Sequence, residues 1–167
     1  MASCTVGKTE VVRWIRDNFD PETTTVLDVG ACDGLWRGLL PEYTMDAVEA
    51  FIPNAKGLRG YREVFAADIR NFKYGWYDLI IFGDVIEHLP VKDAQEVLAY
   101  AFNRCRDMVV AVPFLWPQGE LYGNKYEIHV QPDLTAERVA ERYPVLDVLY
   151  DCSGWNYCYY HKKGEEQ

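Results

Sequence analysis

The chain has no Cys-x-x-Cys pair, no apolar run of bilayer length and too few bases to balance its acids, and each shortage removes a class of function. Its five cysteines, Cys4, Cys32, Cys105, Cys152 and Cys158, are an odd number at scattered spacing. Neither a disulfide framework nor a thiolate zinc knuckle is indicated, and reduced thiols are expected. A membrane span needs about 20 consecutive apolar residues, which no segment supplies. The opening MASCTVGKTE lacks the apolar core of a secretory signal, so a cytosolic protein is expected. Lys and Arg total 17 against 26 Asp and Glu, a net charge of −9. That field repels phosphate backbones and turns the expectation away from nucleic acids, toward small uncharged or cationic partners. Repeats and low-complexity linkers are also lacking, and 167 residues at 49% hydrophobic content suit a single domain over 1–167. No feature of the chain indicates an oligomeric state.

What is present is an alternation of strand-like and helix-like segments. Val12, Ile15 and Phe19 mark one face of a helix from about Thr9 to Asn18, closed by Asp20-Pro21. Strands are expected at the opening of Thr25 to Gly34 and at Met45 to Phe51, Glu63 to Asp68, Tyr77 to Gly83 and Asp107 to Phe114. A short helix around Leu35 to Leu40 follows the first strand. Val91, Ala94, Val97, Leu98, Ala101, Phe102 and Cys105 carry helical spacing over the longest such stretch. Thr135 can cap a helix that presents Ala136, Val139, Ala140 and Tyr143. Val145 to Tyr150 and Trp155 to His161, joined through Asp151-Cys152-Ser153-Gly154, read as an antiparallel hairpin.

The most informative segment is Thr25 to Gly34, TVLDVGACDG, an apolar strand running through an acidic residue into a loop of small residues. This is the sequence form of a strand end that hands a nucleotide-like ligand to a helix N-terminus. Asp28 and Asp33 would repel a pyrophosphate, which such loops hold with bare backbone N–H groups. The same carboxylates suit a cation. S-adenosylmethionine (SAM) carries an ammonium and a sulfonium together with adenosine, and the loop is read as its site.

Taken in order, TVLDVGACDG, AVEAF, FAADI and YDLIIFGDVIEHLP resemble the class I SAM-dependent methyltransferases over nearly the whole chain. The resemblance implies a three-layer, Rossmann-like, doubly wound α/β sheet of seven strands, mostly parallel with the last antiparallel. It implies SAM as cofactor and a small-molecule acceptor. Asp28 would hold the methionyl ammonium, with Gly30, Ala31 and Gly34 shaping the loop around it. Glu49, flanked by Ala50 and Phe51, lies about twenty residues past the first strand, where a carboxylate can accept from both ribose hydroxyls. Asp68 and Ile69 are similar to the pair that meets adenine, although Asp68 also suits turn initiation. One departure is Cys32, which stands where the family usually has glycine.

Asp84 lies beside the place where the methyl group must emerge, and a helix beginning at Val85 would make Asp84, Glu87 and His88 neighbours. With His129 on a following loop, this is similar to the carboxylate and histidine metal site of some small-RNA 3′-end methyltransferases, and to the Glu-His element of ubiquinone-pathway O-methyltransferases. Asp-x-x-Glu is also a helix capping box, and capping without a metal is the expectation. His88 or His129 is then the candidate base for a hydroxyl nucleophile, while His161 is expected to be exposed. Phe114, Trp116, Tyr122 and Tyr126 could wall a substrate pocket, and Trp155, Tyr157 and Tyr159 should face a helix, with Tyr143 among their partners. No Asn-Pro-Pro-Tyr or Asp-Pro-Pro-Tyr follows the fourth strand, which favours oxygen over a planar amino group as acceptor. Two other readings stay open. A nicotinamide-dependent oxidoreductase would want an uncharged Gly-x-Gly-x-x-Gly, a spacing that Gly30-Ala31-Cys32-Asp33-Gly34 breaks, and a non-catalytic partner domain could retain the same fold.

Overall fold

A computed structural model describes residues 5–162 of the chain; Cys4 lies outside them. In chain order the principal elements are α1 (Lys8–Asn18), β1 (Thr25–Val29), α2 (Leu35–Leu39), β2 (Thr44–Val48), α3 (Ile52–Gly57), β3 (Val64–Phe65) and β4 (Tyr77–Gly83). They continue with α4 (Val91–Phe102), β5 (Cys105–Pro113), α5 (Ala136–Arg142), β6 (Leu146–Cys152) and β7 (Tyr157–Lys162). The strands form one seven-stranded sheet in the order β3-β2-β1-β4-β5-β7-β6. All neighbours run parallel except β7, which is antiparallel to both β5 and β6.

Strand β4 shows why the sheet is sandwiched. Its side chains alternate between two cores, Leu79 and Ile81 packing with α1 residues Val11, Val12 and Ile15, and Ile80 and Phe82 packing with α4 residues Ala94, Val97, Leu98 and Ala101. Burial on both faces explains the unbroken apolar run. Register then places the site. Val29 of β1 pairs with Val48 of β2 and Phe82 of β4, so the next residues, Gly30, Glu49 and Gly83, stand at one level, Gly83 being the last residue of β4. That level is the point where chain order reverses direction, β2 and β3 lying on one side of β1 and β4 on the other.

Several boundaries differ from the sequence expectation, each for a local reason. The third strand has only Val64 and Phe65, because the edge of the sheet offers a single partner and the chain turns away before Asp68. Cys105 opens β5 instead of closing α4. The hairpin turn falls later than expected: Cys152 still belongs to β6, a 3-10 turn occupies Ser153–Trp155, and Asn156 takes the left-handed conformation at φ 55°. Trp155 is therefore exposed on that turn instead of facing a helix, whereas Tyr157 and Tyr159 pack against α1 as expected. Tyr143 is not their partner; it lies in the core on the opposite face, hydrogen-bonded to Gln131. In α5, Ala136 and Ala140 are exposed, leaving Val139 to carry the contact. His161 is half-buried beside Asp107 and Trp14, not simply exposed.

One buried charge ties β2 to the amino-terminal end of β4. Asp46 of β2 is 2% exposed and accepts from the Arg62 guanidinium and, at 2.7 Å, from the Tyr77 hydroxyl. The bridge links the β2–β3 connection to β4, and the hydrogen bonds from Arg62 and Tyr77 hold the Asp46 carboxyl below its ordinary pKa against the opposing effect of burial. Asp46→Ala should lower unfolding free energy by about 1–3 kcal/mol, because it strands the Tyr77 hydroxyl while the half-exposed Arg62 can rehydrate. Urea denaturation of the two proteins checks this.

Candidate functional site

The strand ends open onto a cavity of about 370 Å³. Its floor is Val29, Gly30, Val48, Glu49, Gly83 and Asp84; one side carries Asp68 and Ile69, and the loop from Asn124 to Val130 roofs it. Of the expected site residues, Gly30, Glu49, Ala50, Asp68, Ile69, Asp84 and His88 line this space. Asp28, Ala31, Gly34, Phe51 and His129 do not: they lie beneath or beside it.

The loop after β1 holds three left-handed residues, Gly30, Cys32 and Gly34. Gly30 has φ 69°, and a Cβ there would come within 2.7 Å of Val85 Cγ2. Cys32 takes φ 48°, so the position that usually holds glycine keeps a glycine-like backbone despite its side chain. Glu49 holds this geometry. One carboxylate oxygen accepts from the Cys32 N–H and the other from the Phe51 N–H, both at 2.8 Å. Burial nevertheless pushes its carboxyl pKa up. Beneath the loop, Asp28 is fully buried; the Tyr61 hydroxyl donates to Oδ2 at 2.5 Å, and Oδ1 has no partner. Burial drives the Asp28 carboxyl up to about 7 against the opposing hydrogen bond from Tyr61. Sequence reasoning missed Tyr61 because it sits on the β2–β3 connection, 33 residues from its partner, with no local pattern to mark it.

Asp68 combines both roles weighed from the sequence. Its carboxylate lines the cavity, yet it also accepts the Arg70 N–H as a turn initiator and pairs with the Arg70 guanidinium, which holds its pKa down. Arg70 reaches Asp93 as well, so its charge is spent on two carboxylates. Of the expected aromatic wall only Tyr126 lines the cavity; Phe114 is in the core, and Trp116 and Tyr122 are exposed.

The capping box after β4 does not form. Asp84 takes φ 57° and its carboxylate receives the Tyr157 hydroxyl, which pulls the side chain away from the turn. A 3-10 helix, Ile86–His88, follows in place of an α-helix, and no side chain caps it. Glu87 cannot reach back; it is 1% exposed, with both oxygens unpartnered. Burial, with Asp84 nearby, pushes its carboxyl pKa well above the ordinary value. The roof loop docks on this helix through backbone bonds from Val130 and Gln131 to the Glu87 carbonyl, and through the Gln131 amide, which donates to the Ile86 and Leu89 carbonyls. Docking brings His129 against His88, ring centroids 4.6 Å apart at 82°. Burial, then the neighbouring imidazole, lowers His88 to about 4, and burial lowers His129. Burial thus favours the neutral form of both rings.

No family model matches the sequence, and no curated protein matches it significantly. Solved structures do. Magnesium protoporphyrin IX methyltransferase from Synechocystis PCC 6803 with bound SAM aligns with TM-score 0.65 at 12% identity, over 92% of this chain and 76% of that one. The N-terminal domain of EvdMO1 with bound SAH, the demethylated cofactor, aligns with TM-score 0.69 at 13% identity, over 98% and 83%. The mitomycin 7-O-methyltransferase MmcR aligns with TM-score 0.64 at 14% identity; 96% of this chain covers 55% of that one, about half its length. The chain has the class I SAM-dependent methyltransferase fold.

Glu49→Ala removes the acceptor of two N–H groups at a part-buried junction, so it should destabilise the protein by about 2–6 kcal/mol, at about 1–3 per stranded group. Glu49→Gln, which keeps one acceptor, should lose less. Thermal and urea unfolding of both variants check the order.

Proposed function

We propose that the protein is a SAM-dependent methyltransferase that acts on a small molecule through an oxygen nucleophile. The observation that carries the reading is the charge of the cavity: Glu49, Asp68, Asp84 and Glu127 line it against Arg70 and Lys125, and Arg70 is already paired. Such a lining favours a cationic nucleoside over a diphosphate. The residues fit the cofactor in kind as well, because the buried Asp28 Oδ1 lacks a donor and Gly30 lines the cavity at the end of β1. Asp28 and the Gly30 loop would hold the methionyl end, Glu49 with Ala50 the ribose, Asp68 and Ile69 the adenine, and Asp84 would face the sulfonium. When bound, SAM supplies a sulfonium-activated methyl carbon, and transfer to a hydroxyl forms a carbon–oxygen bond as the carbon–sulfur bond breaks and the hydroxyl proton leaves.

The chain's own part is alignment, exclusion of water and help with that proton. The roof loop covers the cavity, Tyr157 fixes Asp84, and the cluster of Glu87, His88 and His129 stands at the Asp84 end. His88 is the member of that cluster that reaches the cavity. Oxygen is supported by the absence of an Asn-Pro-Pro-Tyr element after β4 and by the similar mitomycin 7-O-methyltransferase. A reducing, cytosolic setting accords with free thiols at Cys32, Cys105, Cys152 and Cys158; among the described residues no helix is long and apolar enough to cross a membrane.

Calorimetric titration with SAH should show one site, and turnover of hydroxylated acceptors should consume SAM; binding without turnover would favour a non-catalytic domain, and no binding would end the reading. The pH dependence has a definite sign. With the free Asp28 carboxyl near 7, the ammonium group of SAH selects its ionised form, so binding releases a proton below that pH. Affinity for SAH should rise with pH, by up to about tenfold per unit, and level off above about pH 7. Asp28→Asn should weaken binding about 10–100-fold at high pH and flatten the profile. His88→Ala should lower kcat at least about tenfold while SAH affinity stays within about twofold.

A further inference from the structure

Helix α1 buries the stripe Lys8, Val11, Val12 and Ile15, so a lysine takes the first position of its core-facing side. Lys8 is 3% exposed, and among the described residues it is the one buried lysine or arginine. Its place is disfavoured twice. A buried ammonium loses its hydration, and the first turn of a helix presents the positive end of the backbone dipole. Lysine is almost never buried so deeply unless it is paired.

The surrounding elements offset both costs. Lys8 Nζ lies 4.5 Å from the Trp36 ring centroid and 5.6 Å from that of Tyr159, a cation set over two aromatic rings. Trp36 leads on to β4: its Nε1 is 2.5 Å from where a Cβ on Gly83 would sit, so the indole fills the space beside Gly83, the residue before Asp84. A Cβ on Gly7, at φ 74°, would meet Cys152 Sγ at 2.6 Å and Tyr159 at 2.7 Å, so the bare glycine lets the start of α1 settle onto β6 and β7. Strand β1 brings a carboxylate to the same layer. Val26 packs into the core on the α1 side and Leu27 and Val29 into the opposite core, so alternation turns Asp28 toward α1. The Lys8 charge accordingly draws the Asp28 and Asp84 carboxyls down against burial. Asp28 is also faced by Tyr61, whose hydroxyl donates to it, and by Glu49 and Asp33, whose charges oppose its ionisation. Asp84 is faced by Tyr157 and His129 as well.

We infer that Lys8 is a positioning residue of the ligand site: from beneath the loop after β1 it is the buried counter-ion that keeps Asp28 ready to receive the ligand's ammonium group. Lys8 does not line the cavity, so it acts through Asp28 and not by touching the ligand. With this cation in place the Asp28 carboxyl stands at about 7 instead of higher, which brings its ionised form within reach near neutral pH. Once Asp28 is ionised, Lys8 adds nothing further, so its removal should matter at low pH and hardly at high pH. The use of this charge in binding rests on the methyltransferase reading, whereas the relation between Lys8 and Asp28 stands without it.

Two measurements test this. Carbon-13 NMR of the ligand-free protein follows the Asp28 carboxyl, assigned by its loss in Asp28→Asn. Lys8→Met, and Lys8→Gln as a second uncharged variant, should move its midpoint up by about one pH unit, at the lower end of what a nearby opposite charge does, while Lys8→Arg should hold it close to wild type. Calorimetry with SAH then reads the consequence. Lys8→Met should bind SAH about tenfold more weakly at about pH 6 but within about twofold of wild type at about pH 8.5, as a shift of that size requires on either side of the midpoint, and the recovered affinity also shows an intact fold. In an Asp28→Asn background, Lys8→Met should change SAH affinity at about pH 6 by less than about twofold. An Asp28 titration that does not move in the uncharged variants, or equal weakening of SAH at both pH values, overturns the inference. SAH binding with an unmoved titration would sink this inference alone, and a moved titration in a protein that binds no SAH would sink the methyl-donor reading alone.

Discussion

The site depends on keeping carboxylates out of water at the carboxyl ends of β1, β2 and β4. Asp28 and Glu49 are buried where the sheet's chain order reverses, and each is held by donors that the fold itself supplies: a tyrosine hydroxyl for Asp28, two main-chain N–H groups for Glu49. Burial raises both pKa values, so the protein spends stability to hold negative potential in one place. Glu49 also serves as the brace of the very loop it faces. Ligand recognition and local folding therefore act through the same atoms.

Much of this was legible in the sequence because it is written in short-range patterns. Thr25 to Gly34 shows an apolar strand, a buried acid and glycines within ten residues, and Tyr77 to Gly83 has the unbroken apolar run of a strand covered on both faces. The closing antiparallel hairpin followed from a short turn. What stayed hidden lies in contacts between distant segments. Tyr61 reaches Asp28 across 33 residues and Tyr157 reaches Asp84 across 73, and neither tyrosine sits in a pattern that announces a hydroxyl partner. His129 was legible as a residue of interest, but not that a ring nitrogen would come within 4.8 Å of a Glu87 carboxylate oxygen while the residue stays off the cavity lining.

The segment Gly83 to His88 shows why local signals misled at one point. Asp-x-x-Glu before an apolar stretch favours a capping box in isolation, where the aspartate is free to fold back onto the helix start. Here β7 lies beside β5 and brings the Tyr157 hydroxyl to Asp84, and that tertiary bond wins over the local one. Asp84 is left at a positive φ, the following turn tightens to a 3-10 helix, and Glu87 rotates inward. A capped α-helix would have used the Glu87 carboxylate at its own N-terminus. Denied that use, it becomes a buried acid in need of a counter-charge.

Whether such a residue is a defect or a device is decided by its neighbours. An isolated unpaired carboxylate in a core would be neutralised by protonation and would then seek a hydrogen-bond acceptor. Glu87 instead faces two imidazoles whose protons are held on the far nitrogen by the Ile128 and Trp116 carbonyls. The Ile128 carbonyl belongs to the roof loop, which is pinned to the Glu87 main chain through Val130 and Gln131 and to Gln118 through His129, and the Trp116 carbonyl lies earlier in the same β5–α5 connection. The loop that closes the cavity is thus the same one that aims the histidines. Any change in its seating would move roof and cluster together, which couples access to the cavity to the chemistry at its end.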